Sequence, residues 1–316
     1  MTVDRAASVR ARLLNRARAE REEFERTLVR YAGERLLYRL GESPARSRCL
    51  LKGASLLAVW LAEPHRATRD IDLLAHGVPD EQTIRTMIRD ICAVPCPEDG
   101  LRFDLSELAV TPIRAEEEHA GHRARFRAFL GTARIVVQVD FGFGDAASPE
   151  PEEIELPVLL DELPRPRLRA YPREASLAEK FEAMVTLDVR NSRMKDFHDV
   201  WALSEAFAFA GPKLRRTIER CFERRGTALA PELPRPLTAA FYERPDFEAR
   251  WAAYLASGAV IVPPPTRFDE VGERILRFLG PVRESIADGT PFERHWPAGG
   301  SWESGAHAHG GDRRGV

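Results

Sequence analysis

The period of the hydrophobic positions changes near residue 170, and the two halves of the chain predict different structures. From residue 7 to 40, apolar Leu13, Leu14, Phe24, Leu28, Tyr31, Leu36 and Leu37 recur among many charges, which predicts one long helix closed by Gly41, Ser43 and Pro44. Residues 54–62 (ASLLAVWLA) predict a buried helix entered through Gly53 and stopped by Pro64. Ile71 to Ala75 predicts a short strand before Gly77 and Pro79, and residues 80–92 a helix. Three strands follow, at 101–113, 122–130 and 134–143. In the second, Arg123, Arg125 and Arg127 alternate with Ala124, Phe126 and Ala128; in the third, Gln138 and Asp140 share one face. Gly131 and Thr132 supply a hairpin turn between these two.

A Pro-rich stretch, 148–172, leads into helical spacing. Ser176, with Glu179 three residues on, predicts a capped helix start. Further helices are predicted at 195–208, 212–225, 234–243, 246–256 and 266–279. From Pro297 onward the chain is Gly-rich and poor in apolar residues, which predicts disorder, with His307 and His309 solvated. The pattern as a whole gives an α+β protein, a mixed sheet core with helices followed by a helical domain. Its predicted divisions are a helical N-terminal extension (1–46), the core (47–165), the helical domain (166–290) and a disordered tail (291–316).

Composition narrows the function classes without choosing one. The 316 residues are 30% charged and 44% hydrophobic with a net charge of -2, so no global electrostatic case for nucleic-acid binding arises. A local basic face remains open, at Arg123, Arg125 and Arg127 or at Arg215, Arg216, Arg220, Arg224 and Arg225; a solvated face is the competing reading. No apolar stretch approaches the roughly 20 residues of a membrane span, and the Arg-rich N-terminus has acidic residues and no apolar signal core, so the cytoplasm is the expected location. Four cysteines are too sparse for a disulfide framework, and Cys92 and Cys96 lack a second pair at zinc-like spacing. Only four of the 47 basic residues are lysines, and Lys52, Lys180 and Lys195 each fall beside a candidate motif.

The first candidate is Asp70-Ile71-Asp72 at a strand start. Alternation puts both carboxylates on one face, about 6.5 to 7 Å apart along the strand. Such a pair suits a divalent cation with oxygen ligands, and Asp140, an acid in an apolar strand, is the natural third ligand. A solvated acidic pair, and an Asp140 buried against one of the many arginines, are the alternatives. The second candidate is Lys52-Gly53-Ala54-Ser55, a turn whose glycine permits close backbone approach and whose following helix favours phosphate oxygens. A plain glycine turn with a serine cap is the alternative. The order of the two motifs, turn, helix, then D-x-D strand, would place a triphosphate against its metal.

Lys52-Gly53-Ala54-Ser55 followed by Thr68-Arg69-Asp70-Ile71-Asp72 resembles the opening of the AbiEii/MenT family of nucleotidyltransferase toxins, within the DNA polymerase β-like nucleotidyltransferase superfamily. Ala54 stands where that family usually has a second glycine. The resemblance continues through Leu177-Ala178-Glu179-Lys180-Phe181 and through Arg190…Lys195-Asp196-Phe197-His198-Asp199-Val200, and spans about 47–206. It implies a nucleotidyltransferase-like core and Mg²⁺-dependent transfer of a nucleoside monophosphate from an NTP with release of pyrophosphate. MenT-like members add pyrimidine nucleotides to the 3′ end of tRNA, and AbiEii-like members act beside an antitoxin encoded with them. Carried onto this chain, Asp70, Asp72 and Asp140 would hold Mg²⁺, two ions in all, with Asp140 helping to activate the attacking hydroxyl. Lys52, Gly53, Ser55, Arg69, Lys195 and Asp199 would hold the nucleotide. Lys180 would offset charge on the triphosphate, and Asp196 would act with it. Asp196 and Asp199, at i and i+3 on one helix face, can touch one partner, whether that serves catalysis or packing.

A D-x-D glycosyltransferase ranks last among the rivals, because only about 70 mostly helical residues precede the motif; two others share these residues. One is a nucleotidyltransferase with a small-molecule acceptor. The other is a non-catalytic relative serving as an antitoxin or interaction module, against which the joint presence of Gly53, Ser55, Asp70, Asp72 and Lys180 argues.

Overall fold

A computed structural model describes residues 4–61, 66, 70–78, 80–113, 121–144 and 150–304. The chain forms two compact units, Met1–Pro172 and Arg173–Val316.

The first unit is built on a seven-stranded mixed sheet. Its strands are β1 (Cys49–Lys52), β2 (Ile71–Ala75), β3 (Leu101–Ile113), β4 (Gly121–Leu130), β5 (Ala133–Phe143), β6 (Glu152–Glu155) and β7 (Arg167–Ala170), in spatial order β3-β4-β5-β2-β1-β7-β6. β3, β4 and β5 form an antiparallel meander; β2 joins β5 in parallel, and β1 lies antiparallel to β2. The alternation read from β4 and β5 sorts the faces as expected. Ala124, Phe126, Ala128, Ile135, Val137, Val139 and Phe141 are buried, while Arg125 and Val136 are exposed. Helix α2 (Phe24–Glu42) packs against β5 and α4 (Glu81–Ala93) against β3. Buried Arg39 on α2 makes a two-pronged ion pair with Asp99, whose backbone carbonyl also accepts a hydrogen bond from Tyr31.

Three expectations for this unit change. The long helix of 7–40 is two helices, α1 (Arg5–Glu20) and α2, because Arg21 turns left-handed at φ 54° and caps α1 through its N–H. The run Glu20-Arg21-Glu22-Glu23 has no apolar residue to hold a helix against the core, and Glu22 accepts a hydrogen bond from Thr27 instead. The buried helix of 54–62 is shorter: a 3₁₀ turn over Gly53–Leu56 and one α turn, α3 (Leu57–Trp60), precede Leu61, with 62–65 outside the described residues. Finally, β1, β6 and β7 add three strands that the hydrophobic pattern did not predict.

The second unit is helical, with α5 (Arg173–Leu187), α6 (Met194–Ala206), α7 (Gly211–Arg225), α8 (Ala239–Tyr242), α9 (Pro245–Leu255) and α10 (Phe268–Ala287). Helix α5 begins three residues before Ser176, which is buried inside the helix and does not cap it. Helix α10 runs through Pro281, where the sequence predicted a stop at 279. Phe278, Leu279 and Val282 are fully buried, and their burial outweighs the roughly 3 kcal/mol that an internal proline costs. The tail is also corrected. Within the segment 291–304, β9 (Arg294–Trp296) and β10 (Glu303–Ser304) complete a small sheet with β8 (Phe209–Ala210). Trp296 is fully buried, and the Trp302 indole N–H donates to the Phe278 carbonyl. His307 and His309 lie outside the described residues.

Candidate active site

Register brings the first-half candidates into one row. Lys52 on β1 faces Asp72 on β2, Asp72 faces Asp140 on β5, and Asp140 faces Arg123 on β4. Direct partners on neighbouring strands share a sheet face, so four adjacent strands carry Lys–Asp–Asp–Arg side by side. Asp70 sits just before β2, two residues from Asp72. Neighbouring strands lie about 5 Å apart, and two carboxylates at that spacing repel by roughly 3 kcal/mol in an effective dielectric of ~20. The flanking cations offset that repulsion and hold the row together.

Each part of the row has a local cause. Gly53 has φ +70°, which only glycine adopts readily, and a Cβ there would meet the Asp72 carboxylate Oδ2 at 2.1 Å. The expected close approach at Gly53 is therefore made by the Asp72 side chain. The turn it allows sends the chain from β1 into the 3₁₀ segment and back into β2, so that Lys52 and Asp72 end as direct partners. The Ser55 hydroxyl reaches the Asp70 carbonyl at 3.5 Å, the outer limit of a hydrogen bond. The Lys52 ammonium lies 5.8 Å from the centre of the buried Tyr171 ring, and a Cβ at Gly142, two residues beyond Asp140, would sit 3.5 Å from it. Arg69 lies outside the described residues.

Asp140 is paired with an arginine. Arg123 Nε donates to Oδ1 at 2.8 Å and Nη2 to Oδ2 at 2.7 Å, a bidentate fork. The Arg123 guanidinium is held above its ordinary pKa first by this hydrogen bonding to Asp140, with the fields of Asp70 and Asp72 adding to it. All three candidate carboxylates thus act on one guanidinium. Among the described residues no group of three or more His, Cys, Asp or Glu side chains is arranged to hold a metal ion. The row does contain two or three hard carboxylates of the kind Mg²⁺ takes, and Mg²⁺ usually fills the rest of its shell with water and substrate phosphate.

The second unit holds the other candidates. Lys180 on α5 donates to Asp196 at 2.9 Å and pairs with Asp199 at 2.6 Å, both carboxylates being on α6 and essentially buried. The i, i+3 spacing does bring both acids to one partner, as expected, and Arg193 Nε adds a second cation 2.8 Å from Asp196. Burial works to raise the Asp196 carboxyl, but Lys180 and Arg193 outweigh it and hold the group below the ordinary carboxylate value. Lys195 is exposed and Asp199 points to Lys180. His198 is buried, with Nδ1 2.8 Å from the Tyr254 hydroxyl. A cavity of about 550 Å³ in this unit, bordered by Leu233, Arg277 and Trp302 among others, is lined by none of the candidate residues.

Of the arginines offered as phosphate contacts, several are committed internally. Arg123 pairs with Asp140, Arg127 with Glu107, Arg215 with Glu219, and Arg225 with Glu182. Arg125, Arg216 and Arg220 are exposed. Burial raises all four thiols, Cys49 and Cys92 up to about 12, and Cys96 and Cys221 up to about 11. None of the described helices is long and apolar enough to cross a membrane.

Residues 35–274 match the family model described as nucleotidyl transferase AbiEii toxin, type IV toxin–antitoxin system, and the chain belongs to that family. It is accordingly a nucleotidyltransferase of a toxin–antitoxin system, with an NTP substrate and an antitoxin counterpart. No curated protein sequence matches it. Among solved structures it is similar to JHP933 from Helicobacter pylori, at 11% identity and TM-score 0.45 over 81% of this chain and 90% of the other. A second Helicobacter pylori structure, reported as a candidate nucleotidyltransferase, aligns at 11% identity and TM-score 0.43 over 81% and 92% of the two chains.

Proposed function

We propose that this chain transfers a nucleoside monophosphate from a magnesium–NTP complex to an RNA acceptor, the 3′ end of tRNA, and so acts as the toxin of its pair. The observation that carries the chemistry is the Lys52–Asp72–Asp140–Arg123 row with Asp70 at its margin. The acceptor hydroxyl loses its proton to solvent and its oxygen forms a bond to the α-phosphorus as the bond to the leaving pyrophosphate breaks, with negative charge developing on the phosphate oxygens. Asp70 and Asp72 are the ligands we assign to Mg²⁺, which when bound supplies positive charge on the triphosphate. Gly53 sets where Asp72 stands. Lys52 faces Asp72 from the next strand and sets the charge balance there. Lys180, fixed by Asp196 and Asp199, is a second candidate cation for the triphosphate, as the family resemblance implies. The tRNA acceptor rests on that same resemblance, and the exposed Arg125, Arg216 and Arg220 are candidate contacts to RNA phosphates.

The test is transfer from each α-³²P-labelled NTP to total tRNA with Mg²⁺, wild type against Asp72→Asn. Label that appears on tRNA and is lost in the variant supports the reading and names the nucleotide. Label on other RNA or on small molecules, but never on tRNA, would replace the acceptor and keep the reaction. No pyrophosphate release with any acceptor would refute the reading.

A further inference from the structure

The partner of Asp140 suggests a role for an arginine that the family resemblance does not single out. We propose that Arg123 is a substrate-contacting cation, held in place by Asp140, and that Asp140 is a positioning residue for it, not a second metal ligand. This rests on the metal-dependent transfer proposed above and concerns the same site.

Three observations point this way. Both oxygens of Asp140 accept from the one guanidinium, at 2.8 and 2.7 Å. A symmetric fork of this kind fixes the plane and direction of the arginine as well as its distance. Second, the pair is direct in the sheet register, on the strands β4 and β5, so the guanidinium is anchored to two rigid elements. Third, the Arg123 side chain is 39% exposed while its carboxylate is 17% exposed. The acid is the sheltered half, and the guanidinium keeps N–H groups open to a ligand. Asp140 itself stands beside Asp72 across the strand pair. Arg123 therefore brings a positive charge to the margin of the Asp70–Asp72 pair, whose fields reach it. One metal ion on Asp70 and Asp72 together with one guanidinium on Asp140 would give the triphosphate two cationic partners. A permanently charged fork suits phosphate oxygens, and a guanidinium gives up its hydration more readily than Mg²⁺ does.

The experiment uses the full-length protein and reads Mn²⁺ binding by electron paramagnetic resonance, without nucleotide, beside steady-state transfer. The variants are Asp72→Asn, Asp140→Asn, Arg123→Gln, Arg123→Lys and the double Asp140→Asn/Arg123→Gln, each checked for wild-type thermal unfolding. The expected result is that Asp72→Asn weakens Mn²⁺ binding at least tenfold while Asp140→Asn and Arg123→Gln stay within about threefold of wild type. Both of the latter should lower kcat/KM for the NTP by about a hundredfold, chiefly through KM. The double variant should be no worse than either single one, and Arg123→Lys should recover part of the loss. Weakening of Mn²⁺ binding by Asp140→Asn to the level of Asp72→Asn would make Asp140 a metal ligand and overturn the proposal. So would a second Mn²⁺ bound on Arg123→Gln, or additive losses in the double variant. Failure of the wild type to bind any Mn²⁺ would instead remove the metal reading, and this proposal with it. Should Asp140→Asn unfold, the Arg123→Gln arm decides, since a second Mn²⁺ bound there overturns the proposal and unchanged Mn²⁺ binding with weakened NTP affinity supports it.

Discussion

Replacing Gly53 with alanine isolates the part of the site that is fixed by backbone geometry. Gly53 stands at φ +70°, and its missing Cβ leaves room for the Asp72 carboxylate. A built Cβ would lie 2.1 Å from Oδ2, 2.7 Å from Cγ and 2.8 Å from the Cβ of Asp72, all inside contact distance. An alanine in the left-handed region costs roughly 1–2 kcal/mol. At a few degrees per kcal/mol for a unit of this size, the unfolding midpoint of the unit that holds Gly53 should fall by roughly 2–8 °C. The clash adds a second effect. To clear it, Asp72 must swing away or the turn must open, and either moves the carboxylate by about 1 Å. A displacement of that size at a reacting centre costs on the order of a hundredfold in rate. The assay is nucleotidyl transfer from the preferred NTP, paired with thermal unfolding and with Mn²⁺ affinity on the same preparation. A variant that unfolds a few degrees lower, binds Mn²⁺ more weakly and turns over about a hundredfold more slowly supports the reasoning. Wild-type turnover with only the loss of stability would refute it, because Asp72 would then be either correctly placed or not needed.

Further expectations concern the second unit and the thiols. Lys180→Ala leaves two essentially buried carboxylates facing each other, and breaking a buried ion pair costs roughly 3 kcal/mol or more, so unfolding of this unit should drop measurably as well as activity. Unchanged unfolding would show that the Lys180–Asp196–Asp199 cluster contributes nothing to the fold. The lowered Asp196 value gives a pH test: its contribution is complete above the ordinary carboxylate range, near pH 4, and is lost as pH falls through the depressed native value. Asp196→Asn should flatten that acid limb of the unfolding profile. Trp296→Ala removes a fully buried indole that donates to the Ser204 carbonyl, and should destabilise by roughly 3–5 kcal/mol; a disordered terminus would show no effect. The four thiols, raised by burial to about 11 or 12, should react with a disulfide reagent at pH 8 only on unfolding, as stopped-flow labelling with and without denaturant would show.

The hydrophobic pattern by itself determined the elements that alternate or repeat over enough residues. β2 falls on the predicted 71–75, and β3, β4, β5 and α4 lie within a residue or so of their expected limits, because each buries one clear face. Asp70, Asp72, Gly53 and Lys180 were legible as chemistry-bearing types at meaningful spacings. The short strands were not. β1 is three apolar residues and Lys52 just ahead of another apolar run, so no period separates strand from helix, and β7 sits among arginines and prolines with only Leu168 and Ala170 buried. Likewise the burial of Trp296 and the run of α10 through Pro281 depend on what each packs against. The active site shows the same division. Sequence supplied a lysine, two aspartates and an arginine scattered between residues 52 and 140, and no local rule pairs Asp140 with Arg123 in preference to a metal. That pairing is a matter of register between β4 and β5 and between β5 and β2. Register depends on contacts distant in sequence, and a slip of one residue would turn every one of these side chains to the opposite face. The chain thus encodes which groups it brings, and only the assembled sheet decides which of them stand side by side.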